Sequence, residues 1–506
     1  MANIDFRQYA QDNGGRVVVL FLLFLLALYQ FHHAGFNAFA IVCLIPVYIF
    51  VTVAIFRYRM LVFWSLVTIN YFVAWKEFPS TGVPLSLFNE AQEMLLLVLA
   101  IIDIQGTRFE RVGNVMFATL LVWCGFCTLE VLNDTCDIGI DIGRWYTAAR
   151  SMAFQIMYAY LVFTLYLSTP KLTLRYLTLW AYLALFSSIW TWKQVYIGFS
   201  PAEERFIQGA GRSTHIIQGG TLIRYFSTYT DAANFGIGIA STAVAFIIFG
   251  ITSKINKYRI LFTITGLACA WAMFQSGTRT GMACFMAGMV VYIFLSKSIK
   301  VAVPFTIVLF LFIGMLAFTN IGQGNQQIRR MRTVFDKNDA SAKARNNNQE
   351  AMKKYMKDAP WGIGMAVGPK NVPANNKFTI MAQVPPDSEY VFIWIHTGVI
   401  GITIFLICTF FMLAGACWIV FFTLKSPSLR GIGAGMCCAF VSQQLGGYGN
   451  QVLLQFPNCL IFYGGLTIVY ILPHIEQEWI EYEAQLLAKQ EEKKRLKLEK
   501  KRASRV

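Results

Sequence analysis

Apolar and polar positions in this chain fall in long blocks. They do not alternate at the short periods of half-buried soluble elements. Apolar runs occupy about 17–31, 36–56, 60–75, 84–104, 115–132, 151–168, 174–197, 233–252, 258–276, 281–297, 300–319, 389–423, 431–450 and 454–472. A helix of about 20 apolar residues crosses a bilayer core, and most of these runs approach that length. The pattern predicts an all-α polytopic transmembrane helix bundle of about 12–14 spans. One long polar stretch interrupts it, at 320–388. The expected layout is N-terminal transmembrane helices over 1–197, transmembrane helices with arginine-bearing outer loops over 198–319, an outer loop domain over 320–388, C-terminal transmembrane helices over 389–473 and a charged tail over 474–506.

Charge sets the orientation. With a cytoplasmic N-terminus, the inner loops carry Arg57 and Arg59, Arg108 and Arg111, Lys171 and Arg175, Lys254 to Arg259, Lys297 and Lys300, and Lys425 and Arg430. Each is basic, as the positive-inside rule requires. Both termini are then cytoplasmic, and 133–150, 198–232 and 320–388 face outward. For a bacterial cytoplasmic (inner) membrane the outward face is periplasmic. The tail from Ile475 reads as a charged helix that fixes topology. Ala2 to Arg16 is polar and no cleavable signal peptide is evident.

Composition agrees with the membrane class. Of 506 residues, 56% are hydrophobic and 14% charged, with mean hydropathy +0.51. The net charge of +16 sits in short loops beside apolar runs, so it reads as membrane orientation, not nucleic-acid binding. Ten of the eleven cysteines lie inside apolar runs, with Cys136 alone in a clear loop, which is no disulfide framework. Cys124 and Cys127 read as packing residues. The five histidines lack metal-ligand spacing, so neither a metal nor another cofactor is expected.

Four polar clusters carry candidate chemistry. Arg224-Tyr-Phe-Ser-Thr-Tyr-Thr-Asp231-Ala-Ala-Asn234 ends one outer loop and opens a span. A helix N-terminus there offers amide donors to an anion, and Asp231 is equally suited to cap it. Ser276-Gly-Thr-Arg279 is a tight turn whose arginine at the bilayer edge is a functional candidate. Arg345 precedes an amphipathic helix expected over Glu350 to Lys357 and stopped by Pro360. The glycines of Trp361-Gly-Ile-Gly-Met-Ala-Val-Gly368 permit close backbone approach or form a flexible connector. Asp387-Ser-Glu389-Tyr390 opens a span that continues to His396 and Gly398. These carboxylates are helix caps or proton acceptors. His396 reads as a packing or hydrogen-bonding residue.

In order and in their shared outer face, these segments resemble the O-antigen ligase and polymerase superfamily of membrane glycosyltransferases. The resemblance covers roughly 210–420: Arg224…Asp231-Ala-Ala-Asn234, Ser276-Gly-Thr-Arg279, Arg345 before Pro360-Trp-Gly-Ile-Gly364, and Asp387-Ser-Glu-Tyr390 before Gly398-Val-Ile-Gly401. It implies a GT-C-like architecture and metal-independent transfer of a glycan from a polyprenyl-diphosphate carrier, such as undecaprenyl diphosphate, to an acceptor hydroxyl. The acceptor would be a glycan, a lipid A-core (lipopolysaccharide) or a protein. Arg224, Arg279, Arg345 and Asn234 would bind the diphosphate or substrate. Asp387 would be the catalytic base, with Glu389 its rival. Many ligases of the family carry His where this chain has Asp387. Competing readings are a transporter or flippase of lipid-linked sugars, a protein O-oligosaccharyltransferase of the same superfamily, and a structural membrane subunit.

Overall fold

A computed structural model describes residues 55–78, 85–103, 106–217, 222–324, 326–332, 340–383 and 387–503, with isolated positions before residue 55. The chain divides into two compact units, Met1–Ser65 and Leu66–Val506. The expected runs at 17–31 and 36–56 lie largely outside the described residues. Every candidate site residue belongs to the second unit.

The twelve remaining apolar runs all fold as helix. They correspond to α1 (Arg59–Phe72), α2 (Leu85–Ile102), α3 (Val115–Leu129), α4 (Gln155–Tyr166), α5 (Pro170–Tyr196), α6 (Ala232–Thr252), α7 (Asn256–Gln275), α8 (Arg279–Leu295), α9 (Ile299–Phe318), α10 (Glu389–Trp418), α11 (Pro427–Gly449) and α12 (Gly464–Ala503). Among the described residues, five helical stretches are long and apolar enough to cross a membrane: Val115–Leu132, Pro170–Tyr196, Ala232–Thr252, Glu389–Thr423 and Cys459–Lys501. A two-stranded hairpin, Ile216–Ile217 against Leu222–Ile223, is a minor addition.

Helix α6 is the centre of the bundle. Its sequence is mostly Ala, Gly, Ile and Phe, and nearly every residue is buried. Small side chains let neighbouring helices approach closely, which drives packing where lipid supplies no hydrophobic force. Helices α7, α8 and α11 pack around it. Helix α10 lies between α11 and α3. Helix α12 packs on α11 and α4, then continues unbroken into the charged tail. Lys254 pairs with Glu483 of that tail at 2.9 Å.

The 320–388 stretch is folded against the bundle. It contains short helices at Gln326–Arg332 and Thr379–Gln383 and a longer one at Ala340–Met356. The longer helix begins ten residues before the expected Glu350. Ala340, Ala342 and Ala344 with Lys343 are good helix formers and extend it backwards. Met352, Met356, Ile363, Phe378 and Met381 share a buried apolar cluster with Val391 and Ile395 of α10 and with Cys136.

The glycine-rich connector is likewise fixed. Helix α10 is interrupted at Gly398, whose φ is +67°. The carbonyls freed by the break are taken by the incoming loop. Ile363 N donates to Ile395 O at 2.9 Å and Gly364 N to His396 O at 3.1 Å, while Ile400 N donates to Pro360 O at 3.3 Å. A β-carbon at Gly398 would collide with the Pro360 carbonyl. Close backbone approach, not flexibility, is what these glycines provide.

Gly398→Ala therefore combines a left-handed backbone with a steric collision and should lower stability by at least about 2 kcal/mol. Gly113, where an added β-carbon meets nothing within 4 Å, serves as the control. Thermal unfolding in detergent should show a marked drop for Gly398→Ala and little change for Gly113→Ala.

Candidate functional site

The turn between α7 and α8 gathers the arginines. Gly277 occupies it with φ +58°. A β-carbon there would approach Arg224 Cγ at 3.3 Å and Arg330 Cδ at 3.6 Å, so these two side chains flank the turn. Arg330 Nε donates to Gly277 O at 2.6 Å. Arg279 is the first residue of α8, one step past the turn. Ile328, two residues before Arg330, packs near Met282 and anchors its short helix there.

Neutral groups hold Arg224. Its Nη1 donates to Thr214 O (2.9 Å), its Nη2 to Thr278 Oγ1 (2.9 Å) and its Nε to Ser276 O (3.4 Å). Burial depresses the guanidinium's proton affinity. Asp231 opposes that shift and Arg279 adds to it, which puts all three within electrostatic reach. The result is a fixed cationic cluster at one end of the bundle, with a geometry suited to phosphate oxygens.

The amides at the start of α6 are not open to an anion. Asp231 Oδ1 accepts from Ala233 N (2.7 Å) and Asn234 N (3.0 Å). His215 Nε2 accepts from Ala232 N at 3.1 Å. The His215 Nδ1–H then donates toward Gly211 O at 2.9 Å. Of the two readings of this helix start, the cap is the one present, and it consumes these amides. Asn234 is fully buried, and its Nδ2 is shared among Thr230 Oγ1 (2.7 Å), Gln455 Oε1 (3.1 Å) and Phe456 O (3.1 Å).

Those last partners belong to a segment that the sequence pattern passed over. The loop between α11 and α12 touches three of the motifs. Gln455, Phe456 and Asn458 bind Asn234. Asn450 Nδ2 donates to Oγ1 of Thr280, next to Arg279, at 3.3 Å. Leu453 N donates to Glu389 Oε2 at 3.0 Å. Its signal in the sequence was a run of amide side chains, Asn450, Gln451, Gln455 and Asn458, wedged between two apolar helices.

The two carboxylates at the start of α10 have different surroundings. Glu389 is buried and faces the amides of Val452, Leu453 and Leu454. Asp387 is exposed. The cap position of α10 is Ser388, not Asp387, and Ser388 Oγ donates instead to Gly447 O at 3.0 Å. Capping thus does not account for Asp387. His396 Nδ1 and Nε2 lie 2.9 and 3.3 Å from the carbonyls of Phe392 and Val367, a bridging role within the protein. The Arg345 backbone lies inside the Ala340–Met356 helix, and its side chain is outside the described residues.

Residues 264–406 match the family model described as O-antigen ligase. Over that segment, here termed the ligase domain, the chain is similar to the O-antigen ligases. That domain includes the 276–278 turn, Arg279, Arg330, Arg345, Asp387 and Glu389. Arg224, Asn234 and the 450–458 loop lie outside the matched residues yet are bonded to the ligase domain through Thr278, Thr280 and Glu389. No curated protein matches the chain. The apolar helices together with this domain mark a multi-pass membrane protein.

The His215 cap predicts a pH dependence. Burial holds its pKa below the ordinary value of 6.5, with Arg224 and Lys76 pushing down and the Gly211 carbonyl and Asp231 pushing up. The unfolded chain therefore binds more protons just below that value, so stability falls as pH drops through about 6.5. His215→Gln keeps an acceptor for Ala232 N without the titration. Melting between pH 7.5 and 5.5 should show a smaller loss in that variant than in the wild type.

Proposed function

We propose that the protein is a membrane glycosyltransferase that moves a glycan from a polyprenyl-diphosphate carrier to an acceptor hydroxyl on the periplasmic side. The observation that carries this reading is the arginine cluster around Gly277. Among the described residues, Arg224 is held by neutral oxygens, which leaves its charge to face an anion. Arg279 and Arg330 flank the same turn. Together they fit a diphosphate, whose negative charge grows as the glycosyl bond breaks. Arg330 takes the third place that Arg345 was expected to hold.

In this reading the acceptor hydroxyl attacks the anomeric carbon of the donor sugar. The bond from that carbon to the diphosphate oxygen breaks, and the electron pair leaves with the carrier diphosphate. Asp387, exposed at the mouth of α10, takes the hydroxyl proton. Glu389, enclosed by loop amides, positions the 450–458 loop and does not reach for a proton. The break in α10 is the kind of discontinuity that transporters place at their binding sites. Here its freed carbonyls are filled by the amides of Ile363 and Gly364, which favours the enzyme over a flippase.

Arg224→Ala, Arg279→Ala and Arg330→Ala should each reduce transfer by tens to hundreds of fold, since a charge-assisted bond contributes roughly 1.5–3 kcal/mol. Lys should rescue poorly at each position because an ammonium lacks the planar fork. Asp387→Asn should be nearly inactive at unchanged membrane level. The assay is purified protein with lipid-linked donor and acceptor in detergent, where flipping has no second compartment. Wild-type rates in the arginine variants would remove the cluster from the reaction.

A further inference from the structure

A candidate second site lies beyond α10, separated from the arginine cluster by α11 and α10 in the packing order. The arginine cluster is borne by the ends of α6, α7 and α8. Helix α11 packs against α6 and α8, α10 against α11, and α3 against α10. Two adjoining clefts open beyond α10, where the end of α3 meets the folded 320–388 stretch, and they share Thr135. Their cavity volumes are about 400 and 420 Å³. Ligand clefts commonly fall at roughly 300–1,000 Å³.

The lining changes character along the groove. At one end is Trp361, with Asn133 and Thr135 beside it. At the other are Asp137, Asn375 and Lys377. The Trp361 ring stacks on Phe126 with centroids 6.1 Å apart and planes at 11°, so Phe126 backs one face. The residue is still 50% exposed. Its carbonyl accepts from Asn133 Nδ2 at 2.8 Å, which fixes the platform. A flat aromatic ring with an open face, followed by hydroxyl, amide and mixed-charge side chains, matches a saccharide. The C–H face of a sugar ring lies on the negative face of an aromatic ring. Its hydroxyls pair with amide, carboxylate and ammonium groups.

The groove is also close to the reaction. Ile363 N is bonded to Ile395 O of α10. Ile395 is eight residues past Asp387, about 12 Å along a helix. A saccharide chain of a few units on Trp361 would extend to Asp387.

We propose that this groove binds the saccharide chain of the acceptor and presents its terminal hydroxyl to Asp387, with the donor diphosphate held on the opposite side. This inference rests on the glycan-transfer reading for the direction of the chain, but binding itself can be measured without transfer. The bland alternative makes Trp361 a lipid-facing anchor, in company with the exposed Leu129 and Leu132.

The test uses the full-length protein in nanodiscs. The probe is the pool of water-soluble core oligosaccharides released by mild acid from the lipid A-core of the source cells, an acceptor of the proposed reaction, and saturation-transfer NMR reads contact with sugar-ring protons. Wild type should saturate the pool. Trp361→Ala and Trp361→Leu should lose at least about five-fold in signal, whereas Trp361→Phe keeps it. Asn375→Ala with Lys377→Ala, at two exposed positions, should weaken it without affecting folding. In the transfer assay Trp361→Ala should raise KM for the acceptor and spare kcat. Wild-type signal in Trp361→Leu would make the residue a lipid anchor and overturn the proposal, as would absence of signal in the wild type. Trp361-dependent binding without any transfer by the wild type would instead overturn the catalytic reading and leave the groove standing.

Discussion

The buried amide of Asn234 and the loop from Asn450 to Asn458 form the contact on which the rest of the site depends. Asn234 sits in the first turn of α6, a helix buried along nearly all its length. Its side chain meets Gln455, Phe456 and Asn458. The same loop reaches Thr280 beside Arg279 and Glu389 beside Asp387. Segments more than 200 residues apart in sequence are thereby held at one end of the bundle. Polar groups buried this deeply are costly when unpaired, about 1–3 kcal/mol each, so the pairing of Asn234 with Gln455, Phe456 and Asn458 favours this arrangement of the loop.

Charge is organised by the same principle. Carbonyls and a hydroxyl hold Arg224, and the Gly277 carbonyl accepts from Arg330. Asp231, the nearest acid in the motif, is occupied with the amides of Ala233 and Asn234. In the proposed reading an anionic substrate meets this cluster, and Arg is the residue best suited to receive it in a partly dehydrated site.

Much of the architecture was legible in the sequence. Block-wise hydropathy locates helices whether or not their packing is known, and the twelve runs from 60–75 onward all proved helical. The motif arginines were visible because an arginine near lipid is conspicuous. Other features were hidden for physical reasons. Arg330 lay in an undistinguished basic run, Arg329-Arg330-Met-Arg332, and only the fold brings it to Gly277. The 450–458 loop was hidden because the apolar runs 431–450 and 454–472 left only 451–453 between them. Asp231 looked equally like an anion-site residue and a cap, and the choice turned on His215, sixteen residues earlier, which takes the remaining amide. The break at Gly398 was unreadable because its partner, the Pro360–Gly364 loop, approaches from a separate part of the chain.

The central claim is that the 450–458 loop holds together a diphosphate site built from Arg224, Arg279 and Arg330. Phosphorus-31 NMR titration of farnesyl diphosphate, a short polyprenyl diphosphate, into the nanodisc-embedded protein tests this most directly when wild type is compared with Asn234→Ala. That substitution unties the loop and leaves Arg224, Arg279 and Arg330 in place. The account predicts shifted and broadened diphosphate resonances with the wild type, and at least about ten-fold weaker binding in the variant. Equal binding by the two proteins, or unperturbed resonances with the wild type, would contradict it.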